Sequence, residues 1–209
     1  MTRVRRILAA VACATLGLGF AGGATDVTIA VRNSVLRWGE QATLSGAVSS
    51  PKAEEKVVIE VKECGQPSFR ALAWAYTQAG GSWSLDMGAR VTSQYRALWG
   101  GEKSAGVSVQ QRPSVQVILR PGARSEVSVG AIYPFAGKRV SLQVFDRNRR
   151  VWKHVQSVKL TEYGAGGIYV WSSGRFRSKL PRDAQARGVF SLAQAKPCYL
   201  AGYSPIIQT

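Results

Sequence analysis

The chain is poor in the residues that most enzymes use for chemistry. It has one histidine and three cysteines, and its 12 acidic residues face 28 Lys and Arg. The lone histidine, His154, alternates with Lys153 and Val155, as an ordinary strand residue would. No Cys, His, Asp or Glu has metal-ligand spacing, and no serine lies in a nucleophile elbow. These absences predict a protein that is not an enzyme and has no metal or cofactor; a hydrolase built from scattered carboxylates remains the enzymatic alternative.

The apolar run at the N-terminus is too short for an ordinary membrane span. It extends from Ile7 to Phe20, about 14 residues where a span needs about 20. Arg3, Arg5 and Arg6 precede it, and the small residues 21–24 follow it. This pattern predicts a signal peptide over residues 1–24 and a secreted protein. The secreted protein either is released or stays associated with the cell envelope. A retained anchor is the alternative.

Short alternating segments fill the remainder of the chain, and no helix of more than two turns is predicted. Val57, Ile59 and Val61, for example, alternate with Lys56, Glu60 and other residues of the opposite face. The first half has predicted strands at 27–31, 41–47, 56–62, 69–77, 81–87, 93–99 and 104–110. The second half has them at 114–119, 125–131, 138–145, 151–160, 174–180, 186–192 and 203–208. Seven strands used twice predict an all-β chain of two tandem β-sandwiches, over residues 25–112 and 113–209.

Three motifs carry a family resemblance. Residues 38–46 (WGEQATLSG) resemble the G-x-x-V-T-L-S-G opening of bacterial immunoglobulin-like (Ig-like) repeat modules. Residues 79–85 (AGGSWSL) are similar to the D-x-x-G-x-F/Y-S-F strand of those modules, and Tyr95-Arg96-Ala97 followed by Ser104 resembles their ending. The resemblance implies secreted Ig-like sandwiches and names no ligand, because this fold carries many functions.

Two cysteines remain after the predicted signal peptide, in an exported chain where disulfides persist. Cys64 follows the third strand of the first sandwich, and Cys198 lies between the sixth and seventh strands of the second. In seven-strand antiparallel sandwiches joined end to end, both positions face the junction. We therefore expect a Cys64–Cys198 disulfide between the two sandwiches, with free or intermolecular thiols as the alternative.

Positive charge is concentrated in the second half. Residues 25–112 hold ten Lys and Arg against eight Asp and Glu, whereas residues 113–209 hold fifteen against four. The same topology places most of this charge at the pole of the second sandwich away from the junction. The candidate anion-binding residues are Arg120, Arg124, Arg147, Arg149, Arg150, Arg175, Arg177, Lys179 and Arg182.

These cations predict an anionic partner at the cell surface, such as a wall polymer or lipid headgroups, and a solvated polar rim is the alternative. A protein partner is also open. Nucleic acid is a less favoured anionic partner, for which Trp152 beside the arginines could stack a base. No specific nucleic-acid partner is expected, because the chain is exported and carries no recognised nucleic-acid motif.

Aromatic side chains suggest a second kind of binding. Trp83 and Trp99 alternate as core residues do, and Trp74 and Trp152 are predicted as their partners from the facing sheets. The segment 161–173 lengthens one loop and carries Tyr163, Tyr169 and Trp171 among glycines. This loop is expected to project toward the junction, where it packs the interface or lines a ligand groove. A carbohydrate-binding accessory protein is the corresponding functional alternative.

Overall fold

The computed structural model describes residues 26–120 and 124–209, so the predicted signal peptide lies outside the described residues. The described part of the first half, residues 26–112, forms nine strands. They are β1 (Ala30–Arg32), β2 (Val35–Leu36), β3 (Ala42–Ala47), β4 (Lys56–Glu63), β5 (Arg70–Tyr76), β6 (Ser82–Met87), β7 (Ser93–Trp99), β8 (Glu102–Lys103) and β9 (Val107–Gln111).

The first sandwich packs a three-stranded sheet, β1-β3-β6, on a larger sheet with the order β2-β9-β7-β4-β5. The N-terminal segment contributes to both sheets: β1 pairs antiparallel with β3, whereas β2 pairs parallel with β9. Inward side chains of both sheets meet in one core, in which Ile59, Trp83 and Tyr95 are almost fully buried. The period-two pattern of β4 therefore has the predicted cause, one face in the core and one in solvent.

The second half forms nine further strands and one short helix in residues 113–120 and 124–209. They are β10 (Ser114–Arg120), β11 (Arg124–Ala131), β12 (Arg139–Asp146), β13 (Val151–Lys159), β14 (Thr161–Gly166), β15 (Tyr169–Phe176), β16 (Gln185–Phe190), α1 (Leu192–Ala195), β17 (Gly202–Tyr203) and β18 (Ile207–Gln208). One sheet has the order β10-β11-β15-β14. The other has the order β13-β12-β16-β17, with β18 also paired to β16.

The second sandwich has a core of its own. Leu142, Phe176 and Phe190 are fully buried there, between the two sheets. Two residues of the first sandwich belong to this core at its near end: Val91 is completely buried in it, and Cys64 packs against it. The chain is thus all-β, with two tandem Ig-like β-sandwiches, and the predicted fold class is confirmed.

Four expectations about local structure need correction or refinement. The predicted loop 161–173 is instead a β-hairpin, β14–β15, because Gly167 adopts a positive φ of 63° and closes a tight turn. Trp74 is 57% exposed on the edge strand β5, so it is no core residue. Trp152 lies on the outer face of its sheet, where Arg187 stacks 4.1 Å from its ring. The last predicted strand is split into β17 and β18, because Pro205 lies between them and cannot donate to a ladder.

The only helix in the described residues, α1, has four residues. Among these residues, none of the helical structure is long or apolar enough to cross a bilayer.

Candidate functional sites

The two sandwiches meet end to end and are covalently joined. Cys64 and Cys198 form the predicted disulfide, with their Cα atoms 5.3 Å apart. Backbone hydrogen bonds flank it: Thr92 N donates to Cys198 O at 3.0 Å, and Leu200 N donates to Gln111 O at 2.9 Å. The segment carrying Cys198 therefore pairs with two segments of the first sandwich. This arrangement fixes the orientation of one sandwich on the other.

Trp38 is held at this junction by a tight turn of the first sandwich. Glu40 N donates to Arg37 O at 3.2 Å, and Gly39 has a φ of 80°, as a type II turn requires at its third residue. The Glu40 carboxylate accepts a hydrogen bond from Arg37 N at 2.7 Å. The tetrapeptide Arg-Trp-Gly-Glu thus forms a braced turn that presents the Trp38 indole outside the core, where it is 40% exposed.

The predicted aromatic residues of the second sandwich receive this indole. Tyr169 and Trp171 lie two residues apart on β15, so both face outward, and their ring centroids are 3.3 Å and 6.0 Å from that of Trp38. Trp171 pairs with Gly130 of β11, and its ring lies over that glycine. A Cβ at Gly130 would come within 2.8 Å of the ring. Gly130 therefore lets the indole lie flat on the sheet.

A groove runs beside this aromatic stack, with a volume of about 730 Å³. We call it the junction groove; its side chains include Arg37, Trp38, Arg112, Gln116, Trp171 and Tyr203. Arg112 donates to Ala201 O and lies 5.9 Å from the Tyr203 ring, so its guanidinium is held in place. Tyr203 is 49% exposed. The groove therefore combines aromatic faces with two arginines, and none of its lining residues is acidic.

The predicted basic residues gather at the opposite pole of the second sandwich. The connections after β12 and β15 meet there, and Arg147 Nη2 donates to Asp183 O from one to the other at 3.0 Å. We call this surface the basic end. Its exposed side chains are Arg120, Arg147, Arg149, Arg150, Arg175, Arg177, Lys179 and Arg182. Arg124 begins β11 at the same pole, but its side chain lies outside the described part of the structure.

Acidic residues at the basic end already have cationic partners, with one exception. Arg120 forms an ion pair with Glu126 at 3.2 Å, and Lys153 forms one with Asp146. The Lys153 ammonium and the backbone N–H of Arg149 lower the pKa of the Asp146 carboxyl. Among the described side chains, Asp183 is the acid of this surface without an ion pair. Within the described ranges, the other cations of the basic end form no ion pair, so this surface keeps a strong positive excess.

Two residues at the basic end have a strained backbone. Arg150 has a φ of 55°, and Asp183 has a φ of 54°. Residues with a Cβ pay about 1–2 kcal/mol in this left-handed region, which glycine enters freely. Arg150 closes the β12–β13 turn in this conformation and so presents its guanidinium at some cost to stability. Strain of this kind is concentrated at functional sites in many proteins.

The structure therefore separates the predicted site residues into two groups. The cations lie together at the basic end, whereas Tyr169 and Trp171 lie at the junction; the Tyr163 side chain is outside the described part of the structure, although its backbone belongs to β14. Sequence reasoning missed Trp38, Arg112 and Tyr203 as groove residues. A signal was present for Trp38, because Trp-Gly in the middle of a type II turn exposes the tryptophan. No local signal marks Arg112, which depends on the contact between sandwiches.

No group of three or more His, Cys, Asp or Glu in residues 26–120 and 124–209 could hold a metal ion. No family model matches the chain, and no curated protein matches it. Among solved structures it is similar to bovine butyrophilin, with 9% sequence identity over 89% of this chain and 99% of that chain and a TM-score of 0.35. A similarity at this level carries no argument about this chain.

Proposed function

We propose that this chain is a secreted, non-catalytic binding protein of a bacterial cell surface, and that its basic end docks on polyanionic envelope material. The observation that carries this proposal is the convergence of eight exposed cations on one pole, with only Glu126, Asp146 and Asp183 among them. Both sandwiches share one architecture, so the fold itself does not require this asymmetry. Each surface charge contributes little alone, but a cluster creates a field that attracts a polyanion.

The chemistry of the cations favours phosphodiesters. Seven of the eight are arginines, and the planar guanidinium binds phosphate oxygens through two parallel hydrogen bonds. Phosphodiesters occur in an envelope both in wall polymers and in lipid headgroups. Exposed aliphatic side chains at the same pole favour the lipid surface, because a soluble polymer offers them nothing to contact. Ile118 and Val151 are 45% and 46% exposed there, and Leu119 is 40% exposed.

The disulfide determines how the first sandwich is oriented when the basic end is docked. A chain held at its distal pole projects its first sandwich away from the surface at a fixed angle, because Cys64–Cys198 and the Trp38 stack prevent free swinging. The first sandwich is nearly neutral, with ten cations against eight acids. It therefore does not compete with the basic end for the same surface.

The experiment compares binding of the protein to two phosphodiester materials and a neutral surface. The three are vesicles containing phosphatidylglycerol, soluble polyphosphate, and vesicles of phosphatidylcholine alone. We expect the phosphatidylglycerol vesicles to bind most tightly, and binding to weaken as salt rises. Stronger binding to polyphosphate would assign the wall polymer instead. Equal binding to phosphatidylcholine would contradict the proposal.

Arginine variants locate the contact. R147S, R149S and R150S together should weaken binding to phosphatidylglycerol vesicles by about 100-fold, since each cation near such a surface contributes about 1 kcal/mol. The matched control removes three exposed cations from the first sandwich, with R32S, K52S and K103S. It should bind nearly as the unchanged protein does. Equal losses in both variants would show that net charge alone, not the basic end, determines binding.

A further inference from the structure

The junction groove is a second surface of distinct chemistry, far along the sandwich from the basic end. Three aromatic side chains border it: Trp38, Trp171 and Tyr203. They come from different elements, namely the β2–β3 turn, β15 and β17. Their convergence depends on the two sandwiches meeting in this one orientation. Ordinary core packing does not explain it, because Trp38 and Tyr203 keep 40% and 49% of their surface exposed.

The groove is open and has polar groups around its aromatic faces. One face of the Trp38 indole is covered by Tyr169, whose centroid is 3.3 Å away, and Trp171 is tilted by 32° to Trp38. Residues with side-chain donors belong to its lining, namely Arg37, Arg112 and Gln116. Sites for small ligands have this composition, mostly apolar and aromatic with a few placed polar groups.

A pyranose ring fits this arrangement better than a nucleic-acid base does. The ring stacks its C–H face on a single aromatic plane and directs its hydroxyls outward to donors at the rim. A base gains most from two parallel aromatic planes, whereas the exposed rings here are tilted and do not form a parallel slot. On the outer sheet face beside Trp171, Ser128 and Ser173 form a cross-strand pair of small polar residues, next to the Gly130–Trp171 pair. An extended chain of sugar rings can lie along such a flat strip.

The positive charge of the groove lining favours sugars that carry negative charge. Arg37 and Arg112 belong to the lining, no acidic side chain does, and neither arginine forms an ion pair within the described part of the chain. Further along the outer face of β15, Arg175 is exposed. A planar guanidinium binds a carboxylate through two hydrogen bonds. We propose that the junction groove binds a glycan strand that carries carboxylates, with its sugar rings stacked on Trp38 and Trp171 and its carboxylates on Arg37 and Arg112. This site does not depend on the function proposed for the basic end.

The test measures glycan binding by isothermal titration calorimetry. The protein titrated is the variant with R147S, R149S and R150S, so that the basic end contributes little to the measured binding. A β-1,4-linked mannuronate hexamer and β-1,4-mannohexaose are the probes, because they differ only in carboxylate against hydroxymethyl at each ring. We expect the mannuronate hexamer to bind in a saturable manner and mannohexaose to bind about tenfold more weakly or worse. Equal affinities, or no binding of either probe, would overturn the proposal.

Groove variants then separate stacking from charge. Trp38→Ala should weaken both probes by about tenfold or more, whereas Trp38→Phe should keep most of the affinity. Trp74→Ala is the matched control, because Trp74 is equally an exposed tryptophan but lies on β5 of the first sandwich. Arg37→Gln should reduce the preference for the mannuronate hexamer over mannohexaose. Unchanged binding in W38A would contradict the site, and so would an equal loss of binding in W74A. A single-stranded nucleic acid, hexathymidylate, is the third probe, and tighter binding of it than of the mannuronate hexamer would also contradict the site.

Discussion

Cys64 of the first sandwich is disulfide-bonded to Cys198 of the second, across 134 residues of sequence. Cys64 follows β4, and Cys198 lies between α1 and β17. The bond joins two otherwise separate cores at the point where Val91 enters the second one. It therefore acts both on the stability of the chain and on the angle between the sandwiches.

Replacing both cysteines with alanine should lower the free energy of unfolding by about 2–4 kcal/mol, because a long loop of the unfolded chain is no longer closed. Urea unfolding followed by tryptophan fluorescence measures this loss. The same variant should show a wider range of sandwich orientations in small-angle X-ray scattering. An unchanged urea midpoint together with an unchanged scattering profile would mean that the backbone contacts alone hold the junction.

The left-handed backbone at Arg150 predicts an opposition between stability and binding. Arg150→Gly should raise the free energy of unfolding by up to about 1 kcal/mol, because glycine relieves the strain at a φ of 55°. It should also weaken binding to anionic vesicles, because one cation is lost.

Arg149→Gly is the matched control for this prediction. It removes the same charge from the preceding position, where φ is not positive. It should therefore weaken vesicle binding and also lower the free energy of unfolding. Thermal unfolding and vesicle sedimentation on both variants give the two readouts. If Arg150→Gly is less stable than the unchanged protein, the turn does not impose strain.

The close contact between Gly130 and Trp171 predicts a local packing defect. Gly130→Ala places a methyl group 2.8 Å from the Trp171 ring, which is confined between the sheet and Trp38. The expected cost is about 1–3 kcal/mol, with a change in near-ultraviolet circular dichroism as the indoles move. Gly166→Ala is the control, since nothing lies within 4 Å of a Cβ there. Equal, small effects of both substitutions would show that the indole is free to move aside.

Buried tyrosines predict that the protein loses stability at high pH. Burial raises the pKa of the Tyr199 hydroxyl well above its usual value of about 10, and burial also raises that of Tyr95. The folded state then holds protons that the unfolded state releases. The contribution of these tyrosines to the free energy of unfolding should therefore be constant below about pH 10 and fall above it.

Tyr199→Phe should make this decline shallower, because phenylalanine keeps the ring and has no proton to lose. Urea unfolding at a series of pH values from 8 to about 11 provides the measurement. A decline of equal slope in the variant would assign the alkaline effect to other groups, Tyr95 first among them.

The sequence predicted most of this architecture, because the strands of both halves alternate in period two and end at Gly, Pro and Ser turns. Even the disulfide followed from counting strand directions. The β14–β15 hairpin was not predicted, because Gly164, Gly166 and Gly167 favour a loop on composition while the pairing partner on β15 supplies the order. Trp74 and Trp152 were misplaced for another reason: a strand pattern does not say which face is buried when both faces carry large side chains.

Of the two candidate functional surfaces, one could be predicted from the sequence and the other could not. The basic end could be anticipated, because each of its cations lies in or beside a connection at one pole. The junction groove could not, because Arg112 and Tyr203 come close to Trp38 only through the relative orientation of the sandwiches. That orientation depends on long-range contacts that no local pattern encodes.

The most direct test of the proposed function is the salt dependence of binding to phosphatidylglycerol vesicles. The affinity of the unchanged protein should fall steadily as the salt concentration rises. At low salt, the R147S, R149S and R150S variant should bind about 100-fold more weakly than the unchanged protein, and its affinity should change less with salt. The R32S, K52S and K103S control should follow the unchanged protein. Identical affinities and salt dependences for the two triple variants would contradict docking through the basic end.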